Sequence, residues 1–372
     1  MSGYLKTFRV RLKTVGPVFV GNGKEITKKE YILQNQNKRA GIIDISRMYQ
    51  LLKKKGLSAK FEDFLMNDPR SDLRHWLQDN QLSIREIESC IKYYLDNADT
   101  VLNHGTKIQI MECIKDPYGN PYIPGSSMKG MFRTVLLGAE VINHPDHYDA
   151  DKINILNQAN QKTGRKAYLA REIKQLESNT FCTLNREGTK PLDAVNDNLS
   201  GLIVSDSDPL SISDLILCQK VERYVDGTEK RLNLLRECIR PGTEIALNLT
   251  IDPTRCSYSV DMIQNAVRVF SDSYYKNFLD AFHGICKPAK DCVYLGGGSG
   301  YVSKTVTYPL LGKEDGLNTT IQVFEKTGVP IQHKHYKDRR LRASPHIVKC
   351  THYQGKTLQM GQCHIVEIVE FV

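Results

Sequence analysis

No stretch of this chain approaches ~18 consecutive apolar residues, so a membrane-spanning helix is not expected. The N-terminus alternates Lys, Phe, Arg, Val and Arg without an apolar leader segment, so the expected location is cytoplasmic. Ten cysteines occur without one Cys-x-x-Cys pair, a pattern of reduced thiols rather than of a disulfide framework. Cys350, His352, Cys363 and His364 are zinc-ligand types, but their spacing fits no standard zinc module. No Gly-Lys-Ser/Thr follows a glycine loop, which excludes a nucleotide-hydrolysing P-loop. Clustered carboxylates, the mark of a metal nuclease, are missing apart from Asp206 and Asp208 in Val204-Ser-Asp-Ser-Asp-Pro209, which suit turn capping before a proline. No cofactor and no metal is therefore expected.

What is present favours a polyanionic partner. A formal charge of +9 accompanies 372 residues, a length that ordinarily holds two domains at ~100 to 200 residues each. Lys334, Lys337, Arg339, Arg340, Arg342 and Lys349 crowd one C-terminal stretch interrupted only by Asp338, a candidate phosphate-contacting segment.

Three glycine elements stand out. In Tyr122-Ile-Pro-Gly-Ser-Ser-Met-Lys-Gly130, Pro124-Gly125 breaks a strand, and Ser126 or Ser127 is placed to cap a helix whose apolar stripe is Met128, Phe132, Val135, Leu136 and Ala139. Lys129 and Arg133 fall on one face of that helix, beside the positive end of its dipole, a suitable seat for a nucleic-acid backbone. Val293-Tyr-Leu-Gly-Gly-Gly-Ser-Gly300 runs from a short strand into a loop containing Gly296, Gly297, Gly298 and Gly300, with Lys304 close behind. Gly16-Pro-Val-Phe-Val-Gly-Asn-Gly23 places Gly21, Gly23 and Lys24 after a first alternating strand.

Periodicity predicts strands over 6–15, 29–33, 41–45 and 107–114, and again over 201–205, 215–225, 244–251 and 364–372. Met48, Leu51 and Leu52 fit a helix, and the capping box Ser83-x-x-Glu86 precedes Ile84, Ile87, Ile91, Tyr94 and Leu95 at helical spacing. A long helix is expected over 259–283. Residues 143–200 are polar with few apolar anchors, which predicts a partly mobile insertion with a helix around 167–176. The expected organisation is an N-terminal domain (1–142) with a helical insertion at about 46–100, the polar insertion (143–200) and a C-terminal domain (201–372).

The three glycine elements, in this order, resemble the RAMP superfamily of CRISPR effector subunits. Val204-Ser-Asp-Ser207, Leu217-Cys-Gln-Lys220, Leu235-Arg-Glu-Cys238 and Met360-Gly-Gln-Cys363 narrow the likeness to the subunit type that caps the 3′ end of the guide RNA in type III-A (Csm) complexes. This resemblance implies an α+β protein of two ferredoxin-like (RRM-like) RAMP domains with helical and polar insertions. It implies a non-catalytic RNA-binding subunit needed for crRNA maturation and assembly. Its partners would be the crRNA 3′ region, a neighbouring RAMP backbone subunit, the small helical subunit and host nucleases. No RNP1-like aromatic motif is present, so backbone cradling by glycines and cations is expected rather than base stacking on the sheet. The backbone subunit that cuts target RNA has an aspartate after its first glycine element, where this chain has Asn22 and Glu25. The competing reading is a RAMP endoribonuclease that processes precursor crRNA with His104, His144, His147 or His283. The expected RNA or subunit contacts are Gly21, Gly23, Lys24, Gly125, Ser126, Ser127, Lys129, Arg133, Gly296, Gly297, Gly298, Gly300, Lys304, Arg339, Arg340 and Arg342.

Overall fold

The computed structural model describes residues 4–34, 38–68, 71–101, 108–161, 168–282, 290–330 and 333–371. Alternation of Phe8, Val10 and Leu12 with Arg9, Arg11 and Lys13 produces β1 (Lys6–Thr14), whose apolar row is buried. β2 (Gly21–Ile26), β3 (Tyr31–Gln34) and β4 (Arg39–Ile43) follow. Next come α1 (Ile45–Lys54), α2 (Ser58–Asn67) and α3 (Leu73–Asp79), with Asp44 and Asp72 capping α1 and α3. These helices close a satellite core of Met48, Leu52, Phe61, Phe64, Leu73 and Trp76.

The helix expected after Ser83 is corrected by the structure. Glu86 accepts from the Ser83 N–H at 2.7 Å and the Glu86 N–H donates to Ser83 Oγ at 3.4 Å, so the capping box forms. The chain nevertheless leaves after a short turn and enters β5 (Ile91–Ala98), where Tyr94 pairs with Gly41 and Leu95 with Ala40. Sheet pairing that buries Leu95 completely outweighs a local cap, which stabilises by only ~1 kcal/mol.

Beyond β6 (Ile110–Cys113) lie α4 (Gly125–Asn143), α5 (Asp149–Asn160) and α6 (Ala170–Phe181). The expected polar insertion thus contains two α-helices, followed by a non-helical stretch over 182–193. Ile155, Ala159, Tyr168 and Leu169 form a small core, and Leu176 and Phe181 join the main one. Few apolar residues suffice because they gather on one face of each helix. The remainder comprises β7 (Leu202–Val204), β8 (Leu215–Tyr224), β9 (Glu229–Ile239), β10 (Glu244–Ile251), α7 (Val260–Asn277) and β11 (Cys292–Tyr294). Then come α8 (Thr307–Lys326), α9 (Asp338–Leu341), β12 (Ile347–Tyr353), β13 (Lys356–Gln359) and β14 (Gln362–Glu370). α7 ends before the expected 283, although Phe278 and Phe282 beyond it still fill the core.

Two sheets organise the molecule. One has five strands in the order β11-β14-β1-β10-β7; the other has nine, running β2-β6-β9-β8-β5-β4-β3 with β12 joined to β8 and β13 to β12. Each sheet draws strands from both ends of the chain: β1 pairs with β10 and β14, and β5 runs parallel to β8. The expected segments 1–142 and 201–372 therefore share both sheets. α4 and α7 pack on each other so closely that a Cβ on Gly138 would lie 2.5 Å from the Phe270 ring. The architecture is α+β, consistent with two RRM-like units.

All nine described cysteines are free, and all but Cys182 are buried. Burial pushes the Cys113 thiol up to about 12 and Cys292 to about 11. An unfolded thiol ionises near ~8.5, so above that pH the folded state retains protons that the unfolded chain releases. The resulting stability is fully present below pH ~8.5 and is lost as pH climbs towards those raised values. The urea midpoint should fall between about pH 9 and 11, and a thiol reagent at about pH 8 should label most sites only on unfolding. Rapid labelling of the native protein at most cysteines would contradict this burial.

Candidate nucleic-acid interface

The glycine elements at the two ends of the chain meet. On leaving β1, the Val15 and Gly16 N–H groups donate to the Gln362 carbonyl at 2.8 and 3.0 Å, and the Gly361 N–H donates to the Pro17 carbonyl at 2.8 Å. The Leu295 N–H donates to the Gly361 carbonyl at 2.8 Å and the Gly297 N–H to the Phe19 carbonyl at 2.6 Å. A Cβ on Gly16 would sit 1.7 Å from the Gln359 carbonyl oxygen, and one on Gly296, where φ is 71°, 2.0 Å from that of Phe19. Gly16, Gly296 and Gly297 thus serve close backbone approach inside this chain, where for Gly296 and Gly297 the sequence pointed to an outside partner. Gly23 and Gly300 have open space around them and positive φ. Gly21 packs on the Phe19 ring.

Phe19 and Gly298 frame a residue that the sequence reading passed over. Arg236 lies on β9 on the face that also presents Cys238, opposite Leu235 and Glu237, and its guanidinium rests 5.2 Å from the Phe19 ring centroid. A Cβ on Gly298 would fall 2.5 Å from Arg236 Nη1. Nε and Nη1 are both buried without a hydrogen-bond partner, and burial pushes the pKa down. An unsatisfied buried cation is costly, which marks Arg236 as a candidate contact for an anion. The signal was present in Leu235-Arg-Glu-Cys238: in a strand, period two puts the arginine on the opposite face from Leu235.

At α4 the expected serine cap is corrected. Neither Ser126 nor Ser127 caps the helix; the Gly125 N–H donates to Asp206 Oδ1 at 2.7 Å. A Cβ on Gly125 would lie 2.3 Å from the Val204 carbonyl oxygen, so this glycine admits the β7 end to the helix start. The carboxylate of Asp206 takes the position that an RNA phosphate was expected to occupy. Its neighbour Asp208 pairs with Arg9. Ser126 is exposed and Ser127 half-buried.

Arg133 is engaged from within: it pairs with Glu177 at 3.0 Å and Asp197 at 2.6 Å and stacks on Phe181. Burial lowers the pKa of Lys129, one turn earlier, with Asp197 opposing the shift. Gly130, Arg133 and Thr134 of α4 share a cleft of about 220 Å³ with Tyr301, Lys304 and Thr305. Two glycine motifs distant in sequence thus converge on one opening. Lys304 makes no ion pair among the described residues, desolvation lowers its pKa, and Thr305 Oγ1 beside it is buried without a partner.

Lys24 is exposed on the irregular strand β2, where Asn22 bonds Glu112. Arg339 and Arg340 are exposed, whereas Arg342 pairs with Glu314. Lys349, grouped with them by sequence, instead turns into the protein towards Glu222 at 3.2 Å; burial and then Lys220 lower its pKa to about 8. His144 and His147 stack on each other at 5.5 Å in an exposed turn, while His104 and His283 lie outside the described residues.

Comparison with known proteins bears on the family and the fold. The RAMP superfamily profile matches residues 11–303. The chain is 29% identical to the CRISPR system Cms protein Csm5 of Mycobacterium tuberculosis, over 98% of both chains. It is 30% identical to that of Streptococcus thermophilus, over 85% of this chain and 84% of the relative. Among solved structures it resembles a chain of a cryo-EM Csm–crRNA–target RNA ternary complex of a type III-A CRISPR-Cas system. The TM-score there is 0.63 at 19% identity, covering 96% of this chain and 100% of that one. The crystal structure of Csm5 from T. onnurineus gives a TM-score of 0.61 at 16% identity, covering 95% and 99%.

Proposed function

Because the chain belongs to the RAMP superfamily and aligns with Csm5 proteins over nearly its full length, we propose that it is a non-catalytic RNA-binding subunit of a type III-A Csm complex. Its place is at the 3′ end of the crRNA, where it terminates a filament of backbone RAMP subunits beside the small helical subunit and takes part in crRNA maturation. It works in the cytoplasm; no described helix is long and apolar enough to cross a membrane. Host nucleases would trim the RNA.

The observation that carries the reading is Arg236: an unpaired, half-sequestered guanidinium walled by Phe19 and a glycine that only a residue without Cβ can occupy. An RNA phosphate beside this half-buried side chain supplies the counter-charge it lacks. Lys304 at the α4 cleft and Lys24 on β2 offer further exposed cations. Gly300, Arg339 and Arg340 extend the candidate surface, with Gly23 at the β2 bend. The exposed β2 carries Asn22 and Glu25 and no aspartate, which supports the non-catalytic reading.

Incubation of the purified chain with end-labelled single-stranded RNA, with and without magnesium, tests this on native and denaturing gels. The expected result is a shifted, intact RNA. Arg236→Gln should weaken binding about tenfold, since a hydrogen bond to a charged group is worth ~1.5–3 kcal/mol. Arg236→Gln and Lys304→Ala should each flatten the log K against log salt slope by ~0.7. Lys276→Ala, which removes an exposed i,i+4 pair with Asp272 on α7, should change neither. RNA cleavage abolished by one histidine substitution would replace this reading with the processing-nuclease one.

A further inference from the structure

Behind the glycine loop, the segment between α8 and β12 holds a cluster that RNA binding does not use. Asp338, at the start of α9, is completely buried, His346 is 1% exposed, and the His335 side chain is 11% exposed. His335 Nδ1 lies 3.0 Å from Asp338 Oδ2, His346 Nδ1 contacts Oδ1, and Ser344 Oγ donates to Oδ2 at 2.7 Å. One ligand atom from each of His335, Asp338 and His346 falls within 4.8 Å of the others. Phe324 packs 4.3 Å from the His335 ring and Tyr224 5.6 Å from that of His346, which gives the cluster an apolar wall.

The charge balance is the informative part. Asp338 has no lysine or arginine partner among the described residues, so His335 and His346 are the groups that face its buried carboxylate. Buried charges are ordinarily paired or coordinate a metal. We propose that His335, Asp338 and His346 bind a divalent transition-metal ion of the zinc class. Nitrogen and carboxylate-oxygen ligands at about 2.0–2.2 Å from such an ion stand about 3.3 Å apart, so small side-chain adjustments admit it. Two imidazoles and one carboxylate are the ligand types such ions take, and Ser344 holds the carboxylate as an outer partner does. The ion ties α9 to the start of β12 and so fixes the base of the segment that displays Arg339 and Arg340. It also anchors His335, which with His333 lines a cavity of about 190 Å³ beside Gly300 and Tyr301. The sequence expectation of no metal is revised accordingly.

The test uses the full chain purified without a histidine tag, dialysed against chelator and titrated with Co²⁺. We expect one equivalent to bind with visible d–d absorption, Zn²⁺ to displace it, and Zn²⁺ to raise the thermal midpoint by about 3 °C or more. Asp338→Asn should abolish the Co²⁺ spectrum while circular dichroism stays folded. Should that variant unfold, His335→Ala, at the edge of the cluster, serves instead. His147→Ala, which removes the exposed histidine pair, should leave the spectrum intact. No saturable Co²⁺ binding by the folded wild-type chain would overturn the site in favour of a purely hydrogen-bonded triad. Binding lost in His147→Ala and kept in Asp338→Asn would overturn it equally.

Discussion

Glu237→Ala lowers the unfolding free energy by roughly 3–5 kcal/mol. Glu237 lies on β9 with no exposure and accepts from Tyr93 at 2.5 Å, from the Cys113 N–H at 2.9 Å and from Lys115 Nζ at 2.5 Å. It joins β5, β6 and β9 across the parallel part of the larger sheet. Lys115 has an 8% exposed side chain, so removing the carboxylate leaves an ammonium largely out of water with the rim residue Glu112 at 3.4 Å and the Cys113 carbonyl at 3.5 Å. Burial and then Glu237 push the Tyr93 phenol well above its ordinary value, and its hydroxyl also loses its acceptor. Urea denaturation measures the loss. The double variant Glu237→Leu with Lys115→Met should recover much of it, because charge and counter-charge leave together. A single-variant cost under about 1 kcal/mol would show that the pair is not desolvated as described.

Gly296→Ala costs about 2–4 kcal/mol, and its effect reaches the proposed RNA face. The new methyl group meets a backbone oxygen, Phe19 O at 2.0 Å, so the loop has to move as a whole. Moving it breaks the Gly297 N–H bond to Phe19 and withdraws Phe19 from beneath Arg236. Gly56→Ala, after α1 and away from the candidate surface, is the control: its φ of 72° is unfavourable for alanine, but nothing lies within 4 Å, so about 1 kcal/mol is expected. Thermal melts rank the two variants, and RNA titration of Gly296→Ala should show weakened binding that Gly56→Ala lacks. Equal melting points would mean that the loop is held elsewhere.

Legibility in the sequence followed the range of the determining contacts. β1, β10 and α7 follow their own periodicity, since one face of each meets the core at the spacing its side chains impose. α8 escaped because Gly312 adopts φ 72° within it and Gly316 is retained for contact with Tyr308, two glycines that locally argue against a helix. β9 and β13 were hidden by their exposed polar and charged residues, and β12 by the basic stretch that precedes it; β9 becomes a strand through partners on β8 and β6, and β12 through β8 and β13.

The sequence by itself determined that this is an α+β RAMP-type chain, where its glycine elements lie, and that its charge favours a polyanion. Those properties reside in local pattern and residue chemistry. Only the tertiary structure decided what the elements do. Gly16 and Gly296 make backbone contacts across more than half the chain, Asp206 fills the helix start that Pro124-Gly125 opens, and Arg133 is bound by Glu177 and Asp197. Arg236 is left with two buried nitrogens that have no partner among the described residues. Whether a charge or an N–H group is available to a ligand depends on which partner the fold brings within about 3 Å, and those partners lie dozens to hundreds of residues away.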